Sequence, residues 1–214
     1  MTSRLKFRLG FWLLVLLLIG ALYGWKMIRR GSRVPTEVST ANSLDKHPIP
    51  LPEFKLTERS GREFDSNELK GQIWIGSFFF ASCPGPCRKM NLKLAELTDE
   101  WPADKVRFVS ISVDPKNDSP AALQDYAKSF GADDEQWLFL TEPGDDVQKL
   151  ARQGFKVAAS TSGDSAAADH PITHSDRLIV IDGRGQIRGY FSATDDVSVA
   201  LLKRKVNQLL EEPQ

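Results

Sequence analysis

Residues Gln72 to Cys87 read QIWIGSFFFASCPGPC. From Gln72 to Phe80 the run is apolar on both alternating faces, which suits a strand in the middle of a sheet covered on two sides. Beyond the cysteines, Met90, Leu94, Leu97 and Trp101 fall at i, i+4, i+7 and i+11, one face of a helix. A central strand therefore passes into a helix through Cys83 and Cys87.

Working outward, Glu53 to Phe64 reads as two short strands about the Ser60-Gly61 turn. Val106 to Val113 is a second apolar strand. Ser119-Pro120 gives an N-cap followed by the first helical position, and Leu123, Tyr126, Ala127 and Phe130 make a helical stripe ended by Gly131. Trp137 to Leu140 is a further strand, with a short helix from Asp145 to Arg152. Leu178 to Asp182 and Gln186 to Phe191 flank Gly183-Arg184-Gly185 as a hairpin, and Val199, Leu202, Val206 and Leu209 close the chain with a helix. Alternating units followed by a hairpin and a helix predict an α/β domain over 51–214, a mixed central sheet with helices on both faces. Ala158 to Asp169, small and polar, reads as a mobile loop. Trp74, Phe78, Phe79 and Phe80 read as core, and the runs Asp133-Asp134-Glu135 and Lys203-Arg204-Lys205 as solvated faces.

The chain has 214 residues with 28 basic and 28 acidic side chains, a balance that argues against a protein built to coat nucleic acid. Seven of the basic residues precede the first acidic one, Glu37, leaving 21 basic against 28 acidic beyond it, a net of −7. After a basic flank over 1–8, residues 9–28 begin LGFWLLVLLLIGALYGW, a run without charge that, with its flank, approaches the ~20 residues needed to cross a bilayer. Trp12, Tyr23 and Trp25 lie near its ends, where amphipathic rings favour lipid headgroups. No small-x-small cleavage site follows Ile19, so the segment reads as one uncleaved transmembrane helix. Basic residues flank it on both sides, and the positive-inside rule leaves its orientation open. Residues 29–50 read as a linker.

The chain's two cysteines, Cys83 and Cys87, sit at the strand-to-helix turn. A disulfide across so short a loop removes little chain entropy and is a poor staple. At a helix N-terminus, with Arg88 and Lys89 beside them, both thiols would be favoured as thiolates, the form that binds soft metals or attacks a disulfide. Cu(I) and zinc both suit thiolates, but structural zinc asks for four ligands. A histidine is the natural addition. His47 lies in the linker and reads as a bystander. His170 and His174 both lie in DHPITHSDRLIV, immediately before a strand whose start can approach the cysteine turn. Asp114, in the Val113-Asp114-Pro115 turn, is a candidate support residue.

Taken together, FFFASCPGPCRKM, VSISVDPKNDSPAALQDYAKSFG and THSDRLIVIDGRGQIRGYF resemble the Sco/SenC proteins, membrane-tethered copper-binding members of the thioredoxin superfamily. The resemblance covers about Leu51 to Leu210 and implies a thioredoxin-like fold. It implies that Cys83, Cys87 and His174 are copper ligands, holding Cu(I) and, with altered geometry, Cu(II). The task it implies is assembly of the copper centre of cytochrome c oxidase. Its implied partners are the copper-bearing oxidase subunit or another copper acceptor, and a protein that reduces the thiols. The implied location is the inner membrane with the domain in the periplasm, and the implied role is that of a carrier rather than an enzyme. Two departures make the site more basic than the family pattern: Gly85 and Arg88 stand where an acidic residue and a proline are common, and Thr173 stands where an acidic residue often precedes the histidine. A thiol-disulfide oxidoreductase using Cys83 and Cys87 is the competing reading, although redox motifs usually have two intervening residues. A peroxidase reading ranks third.

Overall fold

The chain divides into two units, Met1–Ser39 and Thr40–Gln214. The computed structural model describes Trp12, Leu44 and residues 47–212, except 84, 134, 143–145 and 158–175. Among the described residues no helix is long and apolar enough to cross a membrane. The expected span over 9–28 lies, Trp12 apart, outside them, as does the expected loop over 158–169.

In the second unit the strands are β1 (Ile49–Pro50), β2 (Lys55–Glu58), β3 (Glu63–Asp65), β4 (Ile73–Phe79), β5 (Val106–Ser112), β6 (Trp137–Thr141), β7 (Arg177–Ile181) and β8 (Gln186–Ser192). The helices are α1 (Pro86–Thr98), α2 (Pro120–Lys128), α3 (Asp146–Lys149) and α4 (Asp196–Glu211). One sheet holds all eight strands in the order β1-β8-β7-β4-β5-β6-β2-β3. β4 pairs in parallel with β5, and β5 with β6, while every other pairing is antiparallel, so the sheet is mixed as predicted.

β4 is buried along its whole length, the property that its two-sided apolar pattern requires. Ile73, Ile75 and Phe79 face a core with Met90 and Leu94 of α1, Leu123 of α2 and Leu202 and Val206 of α4. Trp74 and Phe78 face the other core, with Val147, Ala151 and Phe155. Each such side chain, fully buried, contributes roughly 1.5–3 kcal/mol. The second face is covered more thinly. The helical run expected from Asp145 to Arg152 is a single turn, α3, that widens into a π-helical turn over Leu150–Gly154. Phe155 follows it and packs edge-on against Phe78 with centroids 4.9 Å apart. Gly76 lets the rings sit close over the strand, since a Cβ there would stand 3.3 Å from the Phe155 ring and 3.2 Å from that of Trp74, tight enough that a ring would have to shift.

One boundary and one surface assignment differ from the sequence reading. Ile49 and Pro50, assigned to the linker, pair with Ile187 and Gln186 as an edge strand, and Leu44 is buried. Lys205, read as part of a solvated face, is 6% exposed, its ammonium donating to Gln208 Oε1 at 3.1 Å. Its aliphatic stem lets it lie along apolar surface.

The hairpin forms as predicted. Asp182 Oδ1 accepts from the N–H groups of Arg184 and Gln186 at 3.0 and 2.9 Å, and Oδ2 accepts from Arg188 Nη1 at 2.9 Å. Gly185 supplies the left-handed residue, φ +73°. After β8, Asp195 caps α4 by accepting from Ser198 N–H at 3.0 Å. Asp195→Ala is therefore expected to lower stability by about 1 kcal/mol, read as a lower urea midpoint with an unchanged slope.

Candidate metal and thiol centre

The site is built where β4 runs out. Phe79 is the last residue of its ladder with β5, opposite Ser112. A tight turn follows, in which Cys83 N–H donates to the Phe80 carbonyl at 3.1 Å. Gly85 is the N-cap of α1 and makes no side-chain cap, and Pro86 opens the helix, where its lack of an N–H costs nothing. The first N–H groups of α1 are left for another acceptor.

That acceptor is sulfur. Cys83, half-buried, and Cys87, fully buried, are both free thiols. Burial works to raise the Cys83 pKa, but the backbone N–H groups of Gly85 and Cys87 and the Cys87 thiol all donate to its sulfur, and the net effect holds it below an ordinary thiol. Cys87 moves the other way. Burial, and the bond it donates to Cys83, push it up to about 12. The expected help from Arg88 takes another form, since its guanidinium lies 5.6 Å from the Phe130 ring centroid, over its face.

Behind the thiols, the Tyr126 ring stacks on Phe79 with centroids 5.2 Å apart, and its hydroxyl accepts from Asn91 Nδ2 at 3.0 Å. Burial, with a smaller contribution from charge on Cys87 and Cys83, raises the Tyr126 pKa to about 12, so the phenol stays protonated beside the pair. Trp74, Phe78 and Phe79 are buried core as expected, and Phe80 packs against both cores.

Of the predicted site residues, the structure brings Cys83 and Cys87 together. His170 and His174 lie outside the described residues, which contain no cluster of three or more potential metal ligands. His47 is exposed and precedes β1, three strand spacings of about 4.8 Å from β4. Asp114 belongs to its own loop, its carboxylate accepting from Asn117 Nδ2 at 2.8 Å. The carboxylate that reaches the cysteine turn is Asp118, which the sequence reading passed over. Its Oδ2 accepts from Ala81 N–H at 3.0 Å and from the Ser112 hydroxyl. Its one sequence signal was its place immediately before the Ser119 cap.

A family model described as SCO1/SenC matches residues 44–211. The SCO1 protein homolog of Bacillus subtilis is 30% identical over 107 residues, 49% of this chain and 55% of that protein, so the match spans about half of that relative. A SCO1/SenC family lipoprotein from Bacillus anthracis superposes with a TM-score of 0.67 at 26% identity, covering 78% of this chain and 99% of the other. Bradyrhizobium japonicum ScoI, solved with copper bound, superposes with a TM-score of 0.55 at 25% identity, covering 73% and 99%. The sheet and helices described above are thus a thioredoxin-like α/β fold. With the family match running over most of its length, the chain belongs to the SCO1/SenC family.

Proposed function

We propose that this protein is a membrane-tethered copper carrier that takes up copper through Cys83, Cys87 and His174 and passes it to the copper centre of cytochrome c oxidase. The observation that carries the reading is the preorganised thiol pair at the start of α1. Two sulfurs in hydrogen-bond contact are soft donors, and Cu(I) is the soft ion that such a pair selects. The copper-bound relative supports that choice of cargo.

The residues divide the work. Cys83 presents the more accessible and more acidic sulfur, held by backbone N–H groups, and is the point of first contact. Cys87 must release its proton for copper to be held, so uptake sheds protons and is favoured as pH rises. For the imidazole, β7 starts at Arg177, three residues after His174, and its Leu178 pairs with Ser77 at the cysteine end of β4. Three residues of chain reach about 10 Å. Three ligands leave a coordination position open for a partner, which suits hand-over by stepwise exchange.

The test is anaerobic Cu(I) titration of the reduced full chain in detergent, with His174→Ala and His170→Ala alongside. One copper per chain, weakened by His174→Ala and retained by His170→Ala, is the expected result. A chain that holds no copper, or is indifferent to His174, overturns the reading.

A second reading has its own support. An accessible acidic thiol backed by a buried one is also the arrangement of a thiol-disulfide exchanger, Cys83 attacking and Cys87 resolving. Disulfide reduction that needs both cysteines and is untouched by His174→Ala would favour it.

A further inference from the structure

We propose that Asp118 is a positioning residue of the cysteine site: its buried carboxylate fixes the backbone of the turn carrying Cys83 and so sets how well the pair holds a soft metal ion. Asp118 lies in the loop between β5 and α2 and is 2% exposed, its carboxylate bonded to a backbone N–H and a serine hydroxyl and not to either sulfur. It acts through the main chain. Ala81 stands two residues past Phe79, where the ladder with β5 ends, so its N–H has no strand partner to turn to. Asp118 Oδ2 accepts that N–H at 3.0 Å, and the same oxygen accepts the hydroxyl of Ser112, the residue opposite Phe79. Ser112 Oγ in turn accepts from Asp114 N–H at 3.1 Å.

One carboxylate oxygen thereby clamps the ends of two neighbouring parallel strands, holding β5 at its last paired residue and β4 two residues past its own. The clamp lies at the root of the turn, and the next hydrogen bond along the chain is Cys83 N–H to the Phe80 carbonyl. Cys83 receives N–H groups from Gly85 and Cys87 only while the turn leaves β4 in this direction. Without the clamp, the Ala81 N–H is orphaned and the turn has a reason to swing toward water. The burial of Asp118 is costly, with desolvation and the nearby Asp114 both opposing its charge, and the two donors offset only part of that cost, leaving its pKa above that of an ordinary carboxyl.

The copper arm of the test rests on the function proposed above, and the redox arm does not. In the full chain in detergent, Cu(I) affinity is measured by competition with a chromogenic chelator. Separately, the metal-free dithiol–disulfide equilibrium of Cys83 and Cys87 is measured against dithiothreitol. Asp118→Ala is expected to weaken Cu(I) binding by about tenfold or more and to shift the redox equilibrium several-fold toward the disulfide, because the thiolate loses its donors. Asp118→Asn keeps an oxygen for the Ala81 N–H and is expected to restore both values to within about threefold of the parent. If Asp118→Ala matches the parent in both readouts, the proposal is overturned. It is equally overturned if Asn is as damaging as Ala, which would assign the effect to charge. Should Asp118→Ala fail to fold, Asp118→Asn combined with Ser112→Ala takes its place, with a several-fold loss relative to Asp118→Asn expected and no loss overturning the proposal. A parent chain that binds no copper sinks the carrier reading alone, and the redox equilibrium then decides this one.

Discussion

At neutral pH, iodoacetamide is expected to label Cys83 of the reduced chain on the order of a hundred times faster than Cys87. With a pKa pushed up to about 12, Cys87 is ionised at pH 7 in about one molecule in 10⁵. An ordinary thiol is ionised in about one in 30, and Cys83 lies on the more acidic side of ordinary. The thiolate populations thus differ by more than about 10³, of which the weaker nucleophilicity of the more acidic thiolate takes back about one and a half orders. The sign with pH follows. Labelling at Cys83 stops gaining as pH rises past its lowered pKa, while labelling at Cys87 climbs throughout the alkaline range. Mass spectrometry of peptides after timed quenching reads both rates. Equal rates would mean that the sulfur-to-sulfur bond and the two N–H donors do not persist in solution. Cys87→Ala is expected to slow Cys83 labelling at pH 7, because it removes the thiol donor.

The largest expected loss of stability comes from Phe155→Ala, on the thinly covered face of the sheet. Phe155 is fully buried and touches three other rings, with centroid distances of 6.2 Å to Phe54, 6.0 Å to Trp74 and 4.9 Å to Phe78. Its backbone is engaged as well, the carbonyl accepting the Tyr190 hydroxyl at 3.0 Å. Removing the ring leaves a cavity that the rings packed around it fill only in part, and such truncations cost about 3–5 kcal/mol. For a domain of this size the midpoint should fall by at least about 6 °C in a thermal melt. Leucine at the same position, which fills part of the space, should recover much of the loss. If Phe155→Ala melts within a degree or two of the parent, this face is not the core described here.

What the sequence made legible follows from how many alternatives each pattern leaves. A strand apolar on both faces, Ile73–Phe79, has few places to go but the centre of a sheet. Ser119-Pro120 and Gly183-Arg184-Gly185 announce their geometry through cap and turn chemistry, and both appear as read. The π-helical turn at Leu150–Gly154 was hidden because one extra residue in a single turn barely disturbs helical spacing. Ile49–Pro50 is too short to carry a pattern and owes its place to β8. In the site, the two cysteines were plain from spacing alone. Asp118 was not, since its bond to Ala81 joins residues 37 apart in sequence, and nothing local distinguishes it from a loop aspartate. The third proposed ligand, His174, was singled out by resemblance to a family and not by its immediate neighbours.

The position of β4 also bears on the order in which the molecule comes together. Its neighbour on one side, β5, follows within some thirty residues, but its neighbour on the other, β7, lies about a hundred residues further on, with Trp74 paired to Ile181. Loops of that length close late, and chains emerge and fold from the N-terminal end. The cysteine turn is thus synthesised and half-walled well before the strand that completes its surroundings exists. In that interval the two cysteines lack the wall that β7 later provides, so the time needed to close this loop is also the time for which their sulfurs are least covered.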